Sequence, residues 1–447
     1  MPGALSVDDL RRLADAGDID TVVVAMCDMQ GRLVGKRLHA PYFLAEAAER
    51  GIEGCDYLLA VDVDMRPVPG FAMSSWERGY GDLVMAPDLT SLRRLPWAAG
   101  TALCLADARW HDGSAVAPSP RQVLRAQLDR LGAMGWRALT ATELEFLVFR
   151  HTYEEAWHRG YGDLEPASLY NIDYSVLGTA KVEHLLHRLR LDMAGAGLEP
   201  ESAKGECNRG QHEIVFRYAE ALTTADNHVV YKAGAKEIAA QLGMSLTFMA
   251  KFDEREGNSC HIHLSLRDSQ DQPVFATEPQ VFDHFLAGVL ATLREFSVLF
   301  APNINSYKRF AAGSFAPTAV AWGRDNRTCA LRVVGEGPSL RMEHRVPGGD
   351  ANPYLALAAV VAGGLFGVEN SLPLQPPFEG NAYLARDVTR VPSTLREAAE
   401  LFDKSSLARA AFGDDVVDHY VNMARVELDS FDATVTDWER VRCFERM

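Results

Sequence analysis

Four segments after residue 138 alternate polar and apolar side chains with a period of two. A period of two is the period of a β-strand, whose successive side chains point to opposite faces. The segments are 142–146, 212–218, 260–266 and 341–345. Together they predict a sheet that curves around a polar cleft. Helices such as 225–243 and 353–366 are expected to cover its apolar side.

The polar faces of these strands are more informative together than singly. Alone, the pair Glu143 and Glu145 is typical of a solvated strand face, and the Arg-x-Glu-x-Arg run at 341–345 is typical of a surface ion-pair ladder. The His-x-His run at 261–263 places two imidazoles on one side of a strand, which is common at ligand sites. Solvated faces are not expected to recur four times opposite apolar faces in one domain, so the pattern favours a functional cleft.

The expected cleft gathers five carboxylates, those of Glu143, Glu145, Glu206, Glu213 and Glu343. Two unit charges 4 Å apart repel by about 4 kcal/mol at an effective dielectric of 20, and cations remove that penalty. Carboxylates with one imidazole, from His261, suit Mg²⁺ or Mn²⁺ better than zinc. Such a cleft accepts ATP phosphates and an anionic substrate. Basic clamps are available in Arg309, Arg327, Arg332, Arg341 and Arg345.

The sequence has no GxxxxGK[ST] loop and no convincing GxGxxG turn after a strand. A nucleotide would therefore be held by metal ions and arginines rather than by a phosphate-binding loop.

The composition limits the classes of partner. The 447 residues carry 45 Lys and Arg against 61 Asp and Glu, a formal charge of −16, which argues against a nucleic-acid binder. The most apolar stretch, 354–368, is shorter than the roughly 20 residues of a membrane span, and the acidic N-terminus lacks the apolar run of a signal peptide. Seven scattered cysteines without a CxxC pair fit reduced thiols. We therefore expect a cytoplasmic protein that binds neither nucleic acid nor membrane.

A linker is predicted at 110–120, where glycine, serine and two prolines cluster. Ser119 is placed to cap a helix whose first residue is Pro120. Two domains are expected, an N-terminal domain at 1–108 and a catalytic domain at 113–447.

Six motifs in order along the chain resemble those of the glutamine synthetase family. They are ELEF from Glu143, KGECNRGQHEI from Lys204, GNSCHIHLSL from Gly257, NSYKR ending at Arg309, the segment from Asn326 to Arg332, and RMEHRVP from Arg341 with the following NPY at 352–354. The resemblance implies an α+β fold with a small β-grasp-like N-terminal domain and a large catalytic domain built on a curved antiparallel sheet. It also implies a homo-oligomer, a dodecamer of two hexameric rings in which one subunit's small domain completes the neighbour's active site.

The resemblance also implies roles for individual residues. Ligands of the metal ion beside the substrate glutamate are Glu145, Glu206 and Glu213. Ligands of the metal ion that bridges the ATP phosphates are Glu143, His261 and Glu343. Glutamate is held by Arg309, Arg345 and the backbone of Gly257. The nucleotide side is formed by Tyr218, His263, Ser265, Arg327, Arg332 and Arg341.

The implied reaction has two steps. The γ-carboxylate of glutamate attacks ATP, and an amine then displaces phosphate from γ-glutamyl phosphate. Catalytic roles in it fall to Arg309, Arg327 and Arg345, which together with the metal ions would stabilise charge during phosphoryl transfer.

Two departures from the family pattern bear on the amine. Ammonia-using members carry, after the position of Arg309, a glutamate that takes a proton from ammonium, and Phe315 stands there in this chain. A phenyl ring accepts no proton, although its face weakly favours a cation. The alternative interpretation of Phe315 is a packing change without effect on the substrate.

The second departure is in the small domain, which lacks the family's Asp-Gly-Ser-Ser motif. Its equivalent stays open among Asp56, Asp62, Asp64 and Ser75.

The small domain resembles most the bacterial glutamate–amine ligases of this family that make γ-glutamylethanolamide. We therefore expect glutamate and a small primary amine, ethanolamine, as substrates. The alternatives are a polyamine or another monoamine as the amine, an ammonia-using enzyme, against which Phe315 argues, and a non-catalytic member, which is expected to have lost metal ligands.

Overall fold

The computed structural model describes residues 3–447. Residues 1 and 2 lie outside the described residues. They begin the predicted N-terminal domain and the acidic N-terminus in which no signal peptide is expected. Within the described range the strands form two sheets, and these sheets place the site.

The first sheet is mixed and comes from the N-terminal part of the chain. Its strands are β1 (Thr21–Cys27), β2 (Leu33–His39), β3 (Ile52–Cys55), β4 (Asp82–Pro87), β5 (Arg93–Arg94) and β6 (Thr101–Arg109). Their order is β2-β1-β6-β4-β3, with β5 paired to β6, and β1 runs parallel to β6 while the other pairs are antiparallel. Helix α1 (Val7–Asp15) precedes this sheet and starts at a capping box between Ser6 and Asp9.

The second sheet contains all four of the segments predicted as strands. Its strands are β7 (Trp136–Phe149), β8 (Pro200–Gly205), β9 (Gln211–Phe216), β10 (Ala219–Glu220), β11 (Ser245–Thr247), β12 (Cys260–Asp268), β13 (Trp322–Arg324), β14 (Leu331–Val334) and β15 (Arg341–His344). The order is β13-β14-β15-β12-β7-β9-β8, and β10 and β11 pair with β7. The four predicted segments lie in β15, β12, β7 and β9, which are consecutive neighbours.

Nine further helices of seven residues or more follow in the described chain. They are α2 (Pro120–Ala133), α3 (Glu183–Gly195), α4 (Ala221–Gln241), α5 (Pro279–Thr292), α6 (Pro353–Glu369), α7 (Leu395–Lys404), α8 (Ser406–Phe412), α9 (Asp414–Asp432) and α10 (Asp437–Cys443). Shorter helical segments include Tyr153–His158, Val176–Ala180, Val274–Thr277 and Ser297–Phe300. None of the helices in residues 3–447 is long and apolar enough to cross a lipid bilayer.

The helices cover the sheet as predicted. Helices α2 and α4 pack on β7, and α6 packs on α5 and α2. Helix α6 is apolar around its whole circumference and almost fully buried, as expected of a helix with no solvent face. The expected side-chain cap at Ser119 is absent, because α2 begins at Pro120 without a hydrogen bond to the Ser119 hydroxyl. The predicted α+β fold class is confirmed.

A buried arginine connects the first sheet to the helices of the second. Arg121, in α2, is 2% exposed. Its guanidinium donates to Asp107 of β6 at 2.5 Å, to Asp88 at 2.7 Å and to Asp226 of α4 at 2.9 Å. The boundary predicted at 108–113 falls in the turn between β6 and α2, and the division into two domains stays a prediction.

Candidate active site

The register of the second sheet brings acidic and imidazole side chains together. Glu143 and Glu145 lie two residues apart in β7, so both point to the same face. Glu145 is opposite Glu213 of β9, and Glu143 is opposite His261 of β12. Opposite residues of antiparallel strands have Cβ atoms about 4.5–5.5 Å apart, so strand pairing alone brings these four side chains together.

One cluster consists of three carboxylates, those of Glu145, Glu206 and Glu213, with oxygen atoms within 4.8 Å of one another. Burial, followed by the charge of Glu145, raises the pKa of Glu206 to about 7. Burial and the neighbouring carboxylates, Glu143 first, raise the pKa of Glu213 to about 9. The Lys204 ammonium donates to Glu206 and offsets one of these charges. This all-oxygen donor set fits a hard divalent cation.

The second cluster consists of Glu143, His261 and Glu343, whose ligand atoms also lie within 4.8 Å. His261 Nδ1 is 3.3 Å from Glu143 Oε2 and 3.4 Å from Glu343 Oε1. Burial alone would raise the pKa of Glu143, but hydrogen bonds with His261 and His263 outweigh it and hold that pKa below its usual range. Burial and the charge of Arg345 lower the pKa of His261, which favours the neutral imidazole that binds metals. The donor set fits Mg²⁺ or Mn²⁺.

The buried carboxylate of Glu343 accepts hydrogen bonds from two arginines. Its side chain is 1% exposed, Arg332 Nη1 donates to its Oε2 at 2.8 Å, and Arg345 Nη1 donates to its Oε1. Glu343 therefore connects the arginines to the second cluster.

Two cavities lie next to these clusters, and both are lined by Glu143. A cavity of about 460 Å³ is lined by eleven of the predicted site residues, Glu143, Glu145, Glu206, Glu213, Gly257, His261, Arg309, Phe315, Arg327, Arg332 and Arg345. A second cavity of about 360 Å³ is lined by Tyr218, His263, Ser265 and Arg341, and it shares Glu143 with the first. The structure thus brings every predicted site residue to one of these cavities except the enclosed Glu343, and their individual roles stay predictions.

His263 is held between the two cavities by one neighbour on each ring nitrogen. Its Nε2 is 2.9 Å from Glu143 Oε1, and its Nδ1 accepts a hydrogen bond from Arg341 Nε at 3.2 Å. Because Arg341 can only donate, the proton of a neutral His263 lies on Nε2 and is donated to Glu143.

Arg309 is buried, and its guanidinium is fixed by main-chain carbonyls. It donates to the carbonyl oxygens of Arg345, Val346 and Pro347 at 2.9–3.0 Å. Burial lowers its pKa to about 10. Gly257 lies against it, and a Cβ atom added at Gly257 would come 2.1 Å from the Ala250 carbonyl oxygen and 3.0 Å from Arg309 Cγ. Only glycine fits such a close approach of two backbone segments.

Phe315 presents its ring on the wall of the first cavity and is 55% exposed. Its φ of 58° lies in the left-handed region, which costs roughly 1–2 kcal/mol for a non-glycine residue. Neighbouring groups hold the loop there. Arg345 Nη2 donates to the Phe315 carbonyl oxygen at 3.4 Å, and the Tyr383 hydroxyl donates to that of Ala316 at 3.0 Å.

Asp173, Tyr174 and Lys204 are among the cavity residues that had no predicted role. The Lys204 ammonium contacts Glu206, lies 4.6 Å from the centre of the Tyr174 ring and is 3.6 Å from Asp173 Oδ1. The Lys-x-Glu spacing at the end of β8 could have indicated Lys204. Asp173 and Tyr174 lie in an irregular segment and carry no periodic signal.

The small-domain segment 54–82 lines neither cavity in the described chain. Of the open alternatives there, Asp56 is buried and accepts a hydrogen bond from the Ser74 hydroxyl at 2.5 Å. The acid that replaces the missing small-domain motif therefore stays unassigned.

Comparison with known proteins identifies the class of this protein. Residues 117–443 match the family model "Glutamine synthetase, catalytic domain", and the chain belongs to the glutamine synthetase family, as the motifs predicted. It is 66% identical over 446 residues to the gamma-glutamylethanolamide synthetase GlnA4 of Streptomyces coelicolor, covering 99% of this chain and 96% of that protein.

Two further similarities extend over nearly the whole chain. A glutamate–isopropylamine ligase of Pseudomonas sp is 36% identical over 443 residues, which are 97% of this chain and 96% of that protein. A solved structure of GmaS in complex with ADP has a TM-score of 0.86 at 24% identity and covers 98% of this chain and 99% of that one. The structural likeness shows a shared fold.

Proposed function

We propose that this protein is an ATP-dependent ligase that joins the γ-carboxyl group of glutamate to a small primary amine, ethanolamine, through γ-glutamyl phosphate. The carrying observation is the first cavity, whose lining includes five of the six proposed metal ligands, four arginines and Phe315. The similarity to a protein named for γ-glutamylethanolamide synthesis supports the choice of amine.

The phosphoryl side of the site would hold two divalent cations, Mg²⁺ or Mn²⁺. Their ligands would be Glu145, Glu206 and Glu213 for one ion and Glu143, His261 and Glu343 for the other. When bound, they would neutralise phosphate oxygens and so ease nucleophilic attack at phosphorus.

The nucleotide would lie in the second cavity. Tyr218 and Phe216 supply ring surfaces for a base, and Ser265 and Arg341 supply polar contacts on the same wall. Glu143 marks the end at which this cavity meets the first, so the terminal phosphate would face the glutamate there. Arg327 and Arg332, on the wall of the first cavity, are placed to donate to phosphoryl oxygens as charge develops.

Glutamate would bind among the arginines of the first cavity. Arg345 faces the space between Glu343 and the Phe315 loop. Arg309 fixes the main chain of residues 345–347 and presents positive charge at the cavity wall. Both arginines would orient the carboxylates of glutamate, and Gly257 leaves room for that approach.

The amine would enter beside Asp173, Tyr174 and Phe315. The Lys204 ammonium already lies against the Tyr174 ring and near two carboxylates, which are the partners that a primary ammonium group prefers. We propose that Asp173 and Tyr174 receive the ammonium group of the substrate. Phe315 would then provide an uncharged wall at the position where ammonia-using members carry a glutamate.

Other amines are the second candidate function. The identity to a glutamate–isopropylamine ligase favours a related monoamine, and the exposed Phe315 ring suits an apolar body. A polyamine is a further alternative, and ammonia fits Phe315 least. A non-catalytic role would leave the two assembled ligand clusters unexplained.

We further propose that the active protein is a cytoplasmic homo-oligomer, a dodecamer of two hexameric rings. The segment 54–82 lines neither active-site cavity of its own chain and exposes Trp76, a residue that is 78% accessible. In an assembly this segment would be available to close the amine side of a neighbouring cavity. The cysteines are unpaired within the described chain, in keeping with a reducing compartment.

The test is phosphate release from the purified protein with ATP, glutamate and Mg²⁺ across a panel of amines. The panel contains ethanolamine, isopropylamine, putrescine, spermidine and ammonium, and reactions without glutamate are the control. Turnover with ethanolamine well above the other amines supports the proposal. Turnover highest with ammonium would contradict it and would make Phe315 a packing change.

A further inference from the structure

A cavity of about 670 Å³ lies between the first sheet and helix α4, apart from the two cavities of the proposed active site. Its walls come from β1, β2, the segment 95–103, α4 and the segment 247–249. It has no lining residue in common with either of the other cavities.

The walls of this cavity are rich in positive charge, although the chain as a whole carries −16. Five basic residues line it, Arg32, Lys36, Arg37, Lys232 and Lys236, but the Lys36 side chain points to the opposite face of β2 and donates to the Glu53 carbonyl oxygen. The two lining carboxylates are outnumbered by these basic residues, and both accept hydrogen bonds from neutral donors. Glu237 accepts a hydrogen bond from the Trp97 indole at 3.1 Å, and Asp350 accepts from Asn303 and from the Ser306 hydroxyl at 2.8 and 2.6 Å.

Only one of the five basic side chains has a carboxylate partner in the part of the chain that the structure describes. Arg32 Nε donates to Asp28 at 2.7 Å. Lys36 and Lys232 donate instead to backbone carbonyl oxygens, at 2.7 and 3.1 Å. These carbonyls satisfy hydrogen bonds but leave the net charge of the cavity positive.

Two of the lysines project from one face of α4. Lys232 and Lys236 are four residues apart, so their side chains are neighbours on the helix. Lys236 is solvent-exposed on the helix, and Lys232 and Arg32 are its charged neighbours. Like charges at this spacing destabilise a helix unless a counter-ion lies between them.

We propose that this cavity binds a small organic anion with at least two negative charges, carried by phosphate or carboxylate groups. Lysines from α4 and Arg37 from β2 approach it from opposite walls, which suits a ligand with separated charges. Trp97, Phe248 and Leu103 form apolar wall between the charges, so the ligand has a carbon framework rather than being a bare inorganic ion. The volume accommodates a metabolite and excludes a polymer.

The experiment measures equilibrium binding to the full-length protein by calorimetry, with the active site filled by Mg²⁺, ADP and glutamate. Inorganic phosphate is the probe in one arm and succinate in the other, which separates phosphate-type from carboxylate-type recognition. We expect saturable binding of at least one probe. Lys236→Gln should weaken it about tenfold or more, and Arg37→Gln, from the opposite wall, should do the same.

Two variants control for charge. Lys236→Arg keeps the positive charge and should retain binding within about threefold, whereas Lys404→Gln removes an equal charge from an exposed site and should change nothing. Absence of saturable binding of either probe would overturn the proposal. It would also be overturned if both Lys236→Gln and Arg37→Gln bound the probe as tightly as the unchanged protein.

Discussion

Glu145 and Glu213 face each other across the antiparallel pair of β7 and β9, and both belong to a cluster with Glu206. Like charges directly opposite in a sheet are destabilising. The fold therefore holds a repulsive arrangement that a bound cation relieves. Burial, followed by the charges of Glu143, Glu145 and Glu206, raises the pKa of Glu213 to about 9.

Replacing Glu213 with glutamine separates stability from function. The amide carries no charge. Without metal, the free energy of unfolding of Glu213→Gln should therefore be at least about 1 kcal/mol higher than that of the unchanged protein. Phosphate release should fall at least about 100-fold, because a metal ligand is lost. Urea unfolding and phosphate assays measure the two effects. Glu400→Gln, an exposed change with 63% side-chain accessibility, should alter neither, and normal turnover in Glu213→Gln would refute the metal assignment.

The identity of residue 315 should set the preference between amines. In Phe315→Glu, a carboxylate enters the cavity wall and attracts ammonium, so the ratio of kcat/KM for ammonium to that for ethanolamine should rise about tenfold or more. Phe315→Leu keeps the wall apolar and should retain the original preference. An unchanged ratio in Phe315→Glu would mean that another part of the site selects the amine.

Asp173 should affect the amine and not the nucleotide. Asp173→Asn removes the charge near the Lys204 ammonium, and the KM for ethanolamine should rise about tenfold, equivalent to about 1.4 kcal/mol, while the KM for ATP stays unchanged. Initial-rate kinetics with each substrate varied in turn measures this. Asp163→Asn, in a nearby exposed loop outside the cavity lining, is the matched control. Equal increases in both KM values would point to a general loss of structure.

His419 should make the protein sensitive to acid. Burial lowers its pKa from 6.5 to about 3. Its Nε2 is 3.0 Å from Met29 Sδ, and its ring centre is 4.5 Å from that of Phe71, with the two rings tilted by 48°. Between pH 6.5 and 3 the unfolded chain binds the proton and the folded chain does not. Stability therefore falls as the pH falls, by up to about 1.4 kcal/mol per unit for this one group.

The variant His419→Gln should show a correspondingly flatter dependence of the unfolding free energy on pH. Urea unfolding at several pH values below 6.5 tests this. His184→Gln, at an exposed helix position, should keep the original slope. The same slope in both variants would exclude His419 as a source of acid sensitivity.

Arg121 should be a main support of the junction between the sheets. Arg121→Leu leaves the buried carboxylate of Asp226 without its cationic partner and leaves Asp107 with Arg125 alone, so the free energy of unfolding should fall by about 3–5 kcal/mol. Arg137→Leu breaks exposed pairs with Glu220 and Asp271 and should cost less than about 1 kcal/mol. Denaturant midpoints measure both, and equal losses in the two variants would contradict this role for Arg121.

The parts of the site that lie on strands could be predicted from the sequence, because a two-residue repeat specifies which side chains share a face. Glu143, Glu145, His261 and Glu213 were found in this way. Which of these strands pair with each other could not be derived from alternation alone, since strand register depends on long-range contacts. The order of the family motifs along the chain was the signal that these residues converge on one site.

The amine side could not be predicted to the same extent. Asp173 and Tyr174 belong to a loop whose path is set by packing rather than by a periodic pattern. Tyr174 and Phe315 both have positive φ values, 53° and 58°, which no propensity of tyrosine or phenylalanine indicates. The cap expected at Ser119 also could not be decided from residue type. A serine is suitable for capping, but in the structure its hydroxyl makes no hydrogen bond to the helix.

Both ligand clusters draw on the single strand β7, Glu143 for one and Glu145 for the other. Alternate residues of a strand are separated by roughly 6–7 Å, so the spacing of the two clusters is built into the backbone repeat. The amine wall, in contrast, is made of loops. Evolution can thus exchange one nucleophile for another by remodelling loops, while the strand that sets the geometry of phosphoryl transfer stays unchanged. A scaffold divided in this way is a starting point for ligases with new amines.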